Sequence, residues 1–489
     1  MKKKVLSVLL SVAMVASLLV GCGDNGTEAP VAEEPTTTEE PTTTEEPAAP
    51  VEDTNEVTEA ATLEAPSTDG WDASKEIYVY SWNDELQERL ALVIGPTDAD
   101  GNKLTDKDIT GKYPEYAQYV HCIALGVSGT DGTYQNLIDT AMEAGDKYPS
   151  VFPSDVDVIR YYSESDATAD LGSLGITDEM YANAYKSTVQ VGTYNGQLKA
   201  LTWQGTPGSF FYRADIAEEV FGTSDPDEVQ ELLKDWDAFF AAADKLKEAG
   251  YTIVPGPDEP QHAVLNAHAA PWIKVAGDGS ESLNLDSTIN DYIEISHKLS
   301  EGGYTDNISP WDNAWNAAVS GDNFGFFGCP WFIDAVLSPN AGDTFGEWRA
   351  CVGPQAYYWG GSYVSVGANT PNPELAAFLA YEVCCDPEIM YQIGATYGDF
   401  VNNKEAVANM IADGVGAMEI LGGQNPVEAW ADAATTLDLS SGSYLDNAIK
   451  SYVVEGANAY NAGTIDSADG VLQYVKDQVS TNYDYVTVE

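Results

Sequence analysis

The sequence predicts an α/β fold whose folded body is divided into two lobes. Short β-rich runs, such as residues 76–81 and 119–125, are followed by segments in which apolar residues recur with helical spacing, such as residues 134–144. This alternation of strands and helices is typical of α/β proteins. The body, from about Trp71 to Glu489, is also longer than a single hydrophobic core usually supports, so we expect two lobes.

The first 22 residues combine a basic start, an apolar run and a cysteine. Residues 1–4 carry three lysines, and residues 5–20 form an uncharged apolar run that is short for a membrane span. The run ends in Leu-Val-Gly-Cys, residues 19–22, which resembles the lipobox, where bacterial signals are cleaved before a cysteine that receives lipid. We therefore predict a signal peptide over residues 1–21 and lipidation of Cys22. An ordinary signal peptide in which this cysteine occurs by chance is the alternative.

Residues 22–70 are predicted to form a disordered tether. The segment is rich in threonine, proline and glutamate, contains no lysine or arginine, and has almost no large apolar side chain. Such a segment cannot bury enough apolar surface to offset the loss of chain entropy. Its like charges and prolines keep it extended, so we expect it to hold the folded body away from the membrane.

The charge balance of the chain excludes some classes of partner. There are 22 lysines and arginines against 78 aspartates and glutamates. A protein this acidic repels polyanions, so we expect no nucleic-acid partner. The scarcity of cations also disfavours a phosphate or carboxylate ligand, and a neutral ligand fits better.

Neither the cysteines nor the histidines predict a metal site or a disulfide framework. The five cysteines after Cys22 are odd in number and irregularly spaced, so we expect them to be structural at most. Cys329 and Cys351 could lie on neighbouring strands, but the sequence does not decide whether they form a bridge. His262 and His268 are close in sequence at a spacing that does not match a helix-borne metal pair. We expect no metal and no cofactor.

The remainder of the body continues the same alternation. A third strand is expected over residues 155–162, and the Asn195-Gly196 pair predicts the turn of a hairpin over residues 194–203. Pro226, preceded by Asp225 as a cap, is typical of a helix start. Further strands are predicted over residues 210–212 and 363–367, and further helices over residues 85–92, 236–246, 372–383 and, as a group, 426–479.

The stretch 323–334, with the sequence Asn-Phe-Gly-Phe-Phe-Gly-Cys-Pro-Trp-Phe-Ile-Asp, is the strongest local indication of a ligand site. It starts as an apolar run with glycines, which is typical of a buried strand in a parallel sheet. Pro330 ends this strand, and a helix is expected to start near Phe332. Because ligands of open α/β sheets bind beyond the carboxyl ends of strands, Trp331 is predicted to lie over a cleft. A core tryptophan under a loop is the alternative.

The order of several motifs along the body resembles that of one known family. In chain order they are Ser-Trp-Asn at 81–83, a Tyr-Asn-Gly hairpin leading to Trp203, Tyr-Arg-Ala-Asp-Ile-Ala-Glu-Glu from Tyr212, Gly-Cys-Pro-Trp at 328–331, Gly360-Gly361, and Asn-Pro-Glu-Leu-Ala from Asn372. Together with the lipobox and the acidic segment, this order resembles the family-1 extracellular solute-binding proteins of ATP-driven bacterial importers. The resemblance covers essentially all of residues 76–489.

The resemblance implies a two-lobed, periplasmic-binding-protein-like fold of type II, in which two or three chain crossovers join lobes that close around a ligand in the cleft between them. The N-terminal lobe would comprise residues 71–205 with 362–415, and the C-terminal lobe residues 206–361 with 426–489; the crossovers would lie near 204–209, 360–364 and 415–426. The ligand would be a mono- or oligosaccharide, and the partners the permease subunits of an ABC transporter. The protein would be a monomer on the extracellular face of the cell membrane, anchored through the lipid on Cys22.

The positions of the motifs also imply which residues face the ligand. They are Trp82, Asn83, Asp84, Tyr161, Glu164, Trp203, Gln204, Trp272, Trp331, Tyr397 and Asp399. The chemistry of sugars supports this set, because a pyranose stacks its C–H faces on aromatic rings and binds amides and carboxylates through its hydroxyl groups. Each aromatic residue could instead pack in the core. Arg213, where the family often has Asn, together with His262 and His268, departs from the pattern in ways that concern ligand identity.

A secreted glycosidase is the main alternative from another class of protein. It would also be acidic and aromatic, with two carboxylates facing each other across a cleft. Asp84, Glu164 and Asp399 are carboxylates of this kind, but nothing in the sequence pairs them, and no Gly-x-Ser-x-Gly motif is present. We therefore predict a binding protein and not an enzyme. A non-sugar solute in the same fold, such as a peptide or a polyamine, stays open.

Overall fold

The computed structural model describes residues 53–266, 268 and 270–489. The predicted signal peptide, Cys22 and the predicted tether up to residue 52 lie outside these residues. Within them, no helix is both long enough and apolar enough to cross a membrane.

The order of elements in the described residues is an alternation of strands and helices followed by a helical C-terminal region. The strands are β1 (Ile77–Ser81), β2 (Val120–Ala124), β3 (Pro149–Asp155), β4 (Thr193–Tyr194), β5 (Gln197–Leu198), β6 (Leu201–Thr202), β7 (Ser209–Arg213), β8 (Ile273–Val275), β9 (Glu281–Leu283), β10 (Gly325–Gly328), β11 (Trp348–Cys351), β12 (Ser362–Val366) and β13 (Val486–Thr487). The helices are α1 (Glu85–Ile94), α2 (Thr133–Ala144), α3 (Ile159–Ser163), α4 (Lys186–Gly192), α5 (Ala214–Phe221), α6 (Pro226–Leu233), α7 (Trp236–Ala249), α8 (Gln261–Leu265), α9 (Ser287–Glu301), α10 (Asn313–Ala318), α11 (Ser338–Asn340), α12 (Pro373–Cys384), α13 (Pro387–Tyr397), α14 (Lys404–Asp413), α15 (Val427–Thr435), α16 (Asp446–Asn461) and α17 (Ala468–Asn482).

The first lobe is built on a five-stranded sheet with the order β2-β1-β3-β12-β6. β1 runs parallel to β2 and β3, whereas β12 runs antiparallel to β3 and β6. Helix α12 packs on this sheet and is buried from Leu375 to Cys384. It begins where the Asn372 side chain accepts a hydrogen bond from the Leu375 amide, which caps the helix as the Asn-Pro pair predicts.

The second lobe is built on a three-stranded sheet with the order β10-β7-β11. Helix α7 covers one face of this sheet through Phe239, which meets Phe210 of β7 and Phe327 of β10 edge to face or tilted. The helix is capped by Asp235, whose side chain accepts a hydrogen bond from the Ala238 amide, and ends at Gly250 in a left-handed conformation. Helix α16 packs against α9, and α17 packs on both.

The prediction that residues 325–328 belong to a parallel sheet is wrong, because β10 pairs with β7 in antiparallel register. The misleading feature is burial on both faces, which produces the continuous apolar run that parallel strands usually show. Phe327 packs under α7, and Phe326 packs against Trp315 and Phe332 on the other side. Past Pro330 the chain does turn into a helix, a π-helical segment over Ile333–Leu337.

The predicted strand over residues 155–162 is also wrong, since the strand is β3 and residues 159–163 are helical. The two prolines in β3 hid it, because proline usually marks the edge or the start of a strand. After β3 the Asp155 carboxylate accepts a hydrogen bond from the Asp157 amide, and the Val158 amide bonds to the Asp155 carbonyl. This turn directs the chain into α3 instead of extending the strand.

Residues 53–66 form an extended segment, the N-terminal strap, that lies along the first lobe. The carboxylate of Asp53 pairs with Lys404, and Thr58 exchanges two hydrogen bonds with Asn183, of 2.8 and 2.9 Å. Leu63 packs against the core, and further along the Pro66 carbonyl accepts a hydrogen bond of 2.6 Å from Tyr116. The structure thus differs from the predicted tether over residues 53–70, because backbone hydrogen bonds and an ion pair, which composition does not reveal, hold this acidic segment.

The chain passes from one sheet to the other at two places close to each other. It leaves the first sheet after β6, over residues 203–208, and returns to it before β12, over residues 352–361. These segments lie at or beside the first two crossovers that the sequence suggests. The third crossover and the boundaries of the lobes stay predictions.

All five described cysteines are buried and free. β7 lies between β10 and β11, so Cys329, next to β10, and Cys351, on β11, are not on neighbouring strands. The bridge that the sequence left open is not formed.

Candidate ligand-binding site

The two crossovers contact each other and form the floor of a cleft between the lobes. The Trp359 amide donates to the Thr206 carbonyl at 3.1 Å, and the Thr206 hydroxyl donates to the Gly360 carbonyl at 3.0 Å. Gly360 and Gly361 have φ angles of 76° and 107°, which favour glycine. A Cβ on Gly361 would lie 2.6 Å from the Tyr358 hydroxyl, so this turn also requires glycine for space.

An aromatic cluster from the second lobe lies over this floor. The Trp331 indole donates from Nε1 to the Trp359 carbonyl at 3.1 Å, and its ring meets that of Trp359 edge to face, with the centroids 5.0 Å apart. Trp311 lies nearly parallel to Trp331, with the centroids 6.2 Å apart and the planes at 10°. The other side of Trp359 is covered by His262, stacked at 4.0 Å. Trp331 is half-buried, so part of its side chain is accessible to solvent.

Trp311 is the exposed member of this cluster. Its side chain is 58% exposed, and its φ angle of 73° is one that bulky L-residues rarely adopt. Unusual backbone conformations of this kind persist where the surrounding structure imposes them and are frequent at binding sites.

A polar network from the first lobe faces the aromatic cluster. Gln204 donates from Nε2 to Glu85 Oε1 at 2.8 Å and accepts at Oε1 from the Ser362 amide at 3.1 Å. Burial raises the pKa of the Glu85 carboxyl, and the charge of Asp399 raises it as well. Gln204 therefore connects the start of α1 to the second crossover.

Beside this network a buried ion pair fixes the loop after α13. Arg89 donates to both carboxylate oxygens of Asp399 at 2.9 Å, and Trp203 donates from Nε1 to Asp399 Oδ2 at 3.2 Å. The Arg89 guanidinium also lies over the ring of Tyr397, 4.4 Å from its centroid. Such a bidentate pair with a stacked ring holds its members in one geometry.

Asp155 lies at the carboxyl end of β3, directly under the aromatic cluster. A Cβ built on Gly360 would lie 3.8 Å from Asp155 Oδ2 and 2.8 Å from Trp331 Nε1. Burial, and then the charge of Asp157, raise the pKa of the Asp155 carboxyl to about 7. A Cβ there would be too close to the Trp331 indole, so the turn requires glycine, and the partly exposed side chains of Trp331 and Asp155 both lie beside it.

An ion pair links α16 to the turn after β3. Lys450 of α16 donates to both oxygens of Asp157, at 2.8 and 2.9 Å, and to Asn266 at 3.2 Å. Next to this pair lies a cavity of about 70 Å³, lined in part by Arg160, Trp272 and Asp446.

Comparisons with known proteins bear on what this architecture is. The sequence of residues 123–419 matches the family described as bacterial extracellular solute-binding protein. The chain belongs to this family. No curated protein sequence matches the chain.

Solved structures share the two-lobed fold of this solute-binding protein at low sequence identity. A crystal structure of an extracellular solute-binding protein family 1 member has a TM-score of 0.69 and 19% identity, covering 83% of this chain and 99% of its own. The galacto-N-biose/lacto-N-biose I-binding protein of an ABC transporter from Bifidobacterium longum, in complex with lacto-N-biose, has a TM-score of 0.62 and 18% identity, covering 85% and 99%. The sugar-binding protein MalE from Xanthomonas citri has a TM-score of 0.61 and 15% identity, covering 83% and 97%.

Five of the residues predicted to face the ligand lie around the cleft floor of the solute-binding protein. Trp331 presents part of its ring there, and Gln204 belongs to the polar network. Trp203 and Asp399 are bonded to each other, and Tyr397 stacks on the arginine that holds Asp399. Trp203 is fully buried, so it can position Asp399 but cannot contact a ligand directly.

The predicted residues after β1 are adjacent to the polar network but are not part of it. Asn83 and Asp84 are exposed, and the Asn83 side chain accepts a hydrogen bond from the Glu85 amide, 3.1 Å away. Trp82 packs edge to face against Tyr134, and Gly129 lies close over its ring. The hydrogen bond to Gln204 is made by Glu85, the next residue, which the sequence did not single out.

The structure places Tyr161, Glu164 and Trp272 away from the aromatic cluster. Tyr161 lies on α3 and donates to Asp139 at 2.8 Å. Burial raises the pKa of the Glu164 carboxyl to about 7. Trp272 is fully buried, stacks on His268 and donates to Asp286 at 3.1 Å, so it borders only the small cavity. Contact of these three residues with a ligand stays a prediction, and their positions in the structure argue against it.

Four residues of the cleft were missed by sequence reasoning. Trp359 directly precedes the Gly360-Gly361 crossover and could have been found from that pair. Glu85 and Asp155 each lie at the end of a strand or the start of a helix, but the misplaced third strand hid Asp155. Trp311 carries no local signal, because its position depends on the loop before α10. Within the described residues, no group of three or more His, Cys, Asp and Glu side chains is arranged to hold a metal ion.

Proposed function

We propose that this protein captures a carbohydrate in the cleft between its lobes and delivers it to the permease of an ABC importer. The observation that carries the proposal is the partly open ring of Trp331 beside the polar side chains of Gln204, Glu85 and Asp155. A sugar ring has an apolar face that can stack on an indole and hydroxyl groups that can bind an amide and carboxylates. The two sides of this cleft supply these two kinds of group.

The likeness to sugar-binding proteins supports the same proposal. The neighbour from Bifidobacterium longum is in complex with lacto-N-biose, and that from Xanthomonas citri is a sugar-binding protein. The identities are below 20%, so the choice of a sugar for this chain rests on the residues of its own cleft.

A thermal-shift screen against mono- and oligosaccharides tests the proposal. A ligand present at a hundred times its dissociation constant stabilises the folded state by about 2.7 kcal/mol, which is readily measured. We expect at least one sugar to raise the melting temperature. If no sugar does, while an amino acid, a peptide or a metal ion does, the carbohydrate proposal is wrong.

The proposed location is the extracellular face of the cell membrane, with the lipid on Cys22 as the anchor. The support comes from the order of lysines, apolar run and Leu-Val-Gly-Cys in the sequence. Mass spectrometry of the native N-terminus should find a lipid-modified Cys22, and Cys22→Ala should prevent lipidation. An unmodified N-terminus at another residue would contradict the anchor.

We propose a binding function and not a glycosidase. Both oxygens of Asp399 are bonded to Arg89, so this carboxylate is not free to act as an acid or a nucleophile. Incubation with labelled oligosaccharides should return them at their original length. Shortened products that disappear on mutation of a cleft carboxylate would favour the enzyme.

A further inference from the structure

We propose that the captured sugar carries a protonated amino group, which lies against the Asp155 carboxylate beside the Trp331 ring. This inference rests on the proposed carbohydrate-binding function and names the class of sugar for the same cleft. It replaces the expectation of a neutral ligand, which considered the charge of the whole chain and not the charges that face the cleft.

The carboxylates around the cleft floor outnumber the cations that pair with them. Its two buried cations each have a carboxylate partner at short range, Arg89 with Asp399 and Lys450 with Asp157. Among the described residues, Asp155 has no ion-pair partner, and the hydrogen bond that its carboxylate accepts comes from the Asp157 amide. The cleft therefore holds one more carboxylate than its cations neutralise.

Glu85 adds to the same imbalance. Its Oε1 is 4.0 Å from Arg89, at the limit of an ion pair, and it is bonded at 2.8 Å to the neutral amide of Gln204. The imidazole that faces this region adds no positive charge, because burial holds the pKa of His262 well below its usual value. Arg160, which lines the neighbouring cavity, is a further cation of this region, and its guanidinium donates to the Leu439 carbonyl. A ligand that lies against Asp155 and Glu85 thus meets two carboxylates of which only Glu85 is near a cation, Arg89.

Burial of the Asp155 carboxylate costs free energy that a cationic ligand group can offset. A carboxylate removed from water without a direct ion pair is unfavourable, and burial accordingly raises the pKa of Asp155, while the charge of Lys450 offsets this only in part. A neutral hydroxyl can donate one hydrogen bond to it but leaves the charge uncompensated. An ammonium group donates hydrogen bonds and neutralises the charge, which makes the bond about twice as strong.

The indole ring of Trp331 provides an aromatic surface beside Asp155. Cations are attracted to the faces of indole rings, and most strongly where water is excluded. Trp331 Nε1 already donates to the Trp359 carbonyl, so the indole does not compete for Asp155. A sugar with an amino substituent has an apolar face for the ring of Trp331 and a cation for Asp155, and these two partly exposed side chains lie beside the same turn at Gly360.

Matched sets of sugars test the inference. Each set contains an amino sugar, its N-acetyl derivative and the neutral parent sugar, in gluco, galacto and manno configurations and as mono- and disaccharides. Isothermal titration at pH 7.5 should show that one amino sugar binds about 10- to 100-fold more tightly than its two partners, the range for a charge-assisted hydrogen bond. Sugars that bind without any preference for the amine would overturn the inference and leave the proposed function standing.

A pair of variants assigns the preference to one carboxylate. Asp155→Asn keeps the size of the side chain and removes its charge, so it should lower the affinity for the amino sugar about 10-fold or more and change that for the neutral parent little. The matched control is Asp291→Asn, an exposed residue on α9, which should change neither. Equal losses for the charged and the neutral sugar in Asp155→Asn would overturn the assignment.

The pH dependence of the wild-type protein gives a readout that does not need a variant. The bound ammonium favours the ionised form of Asp155, so affinity for the amino sugar should fall as the pH falls below about 7, where this carboxyl takes up a proton. Affinity for the neutral parent sugar should stay constant over the same range. A linear diamine such as putrescine that binds in preference to every sugar would overturn both the inference and the proposed function.

Discussion

The indole of Trp331 makes one hydrogen bond, to the Trp359 carbonyl, and the side chain is only half-buried. We expect Trp331→Ala to weaken sugar binding by about 2–4 kcal/mol, as truncation of an aromatic anchor does. The free energy of unfolding without ligand should fall by only about 1–2 kcal/mol, because one hydrogen bond and part of an exposed ring are lost. Calorimetric titration and denaturation of the same variant measure both quantities.

Trp348 is the matched control for this prediction. It is fully buried on β11 of the same lobe, so Trp348→Ala should cost about 3–5 kcal/mol of stability, the usual range for a buried tryptophan. If Trp331→Ala behaves in the same way and keeps its affinity, Trp331 is a core residue and the proposed site loses its central member.

The pair of Arg89 and Asp399 is the second feature that a single substitution can test. Arg89→Met should lower the free energy of unfolding by about 3–5 kcal/mol, because it leaves a buried carboxylate without its cation. Lys103→Met is the control, since Lys103 and Asp106 form a pair whose side chains are 63% and 94% exposed, and it should cost less than about 1 kcal/mol. Urea denaturation compares the two variants, and equal small losses would show that Asp399 is stable without Arg89.

At the scale of residues, the sequence could indicate aromatic and polar candidates for the ligand site. It could not indicate which of them lie at the cleft and which are buried in the core. Trp331 and Gln204 lie next to breaks in the strand pattern, and their positions follow from those breaks. Trp203 and Trp272 have the same kind of position, yet both are fully buried, because carboxylates far along the chain or in a following loop bind their indoles. Pairings between distant residues leave no periodic signal in the sequence.

The N-terminal strap is the element whose role differs most from prediction. Removal of residues 1–52 should leave the melting temperature unchanged relative to a chain that starts at Cys22, whereas removal of residues 1–66 should lower the stability by a few kcal/mol. The reason is the loss of the hydrogen bonds at Thr58 and Pro66, each of about 0.5–1.5 kcal/mol, and of the packing of Leu63. Equal melting of the two truncated proteins would show that the strap contributes nothing to the fold.

The elements that the sequence predicted well are those with complete local signals. Asn195 and Gly196 have φ angles of 49° and 72°, as expected for the tight turn between β4 and β5. Helix α6 begins at Pro226 with Asp225 accepting from two amides, as its first residues suggest. The bounds of β3 were predicted wrongly because prolines are unusual within strands. The pairing direction of β10 was predicted wrongly because strands buried on both faces occur in parallel and in antiparallel sheets.

At the scale of the whole molecule, the order of strands and helices was sufficient to predict an α/β fold, and the length of the body to predict two lobes. It was not sufficient to give the charge of the cleft, because Asp155, Glu85 and the aromatic cluster come from segments that only the crossovers bring together. The proposed function therefore depends on a property of the assembled molecule, which is closure of the lobes over the Gly360-Gly361 turn.

Small-angle X-ray scattering with and without the sugar found by the thermal-shift screen tests this claim most directly. Closure brings the two lobes together, so the radius of gyration of the wild-type protein should be smaller with saturating sugar than without it. The Trp331→Ala variant at the same sugar concentration should show a smaller change or none. An identical radius of gyration with and without bound sugar in the wild-type protein would contradict capture by lobe closure.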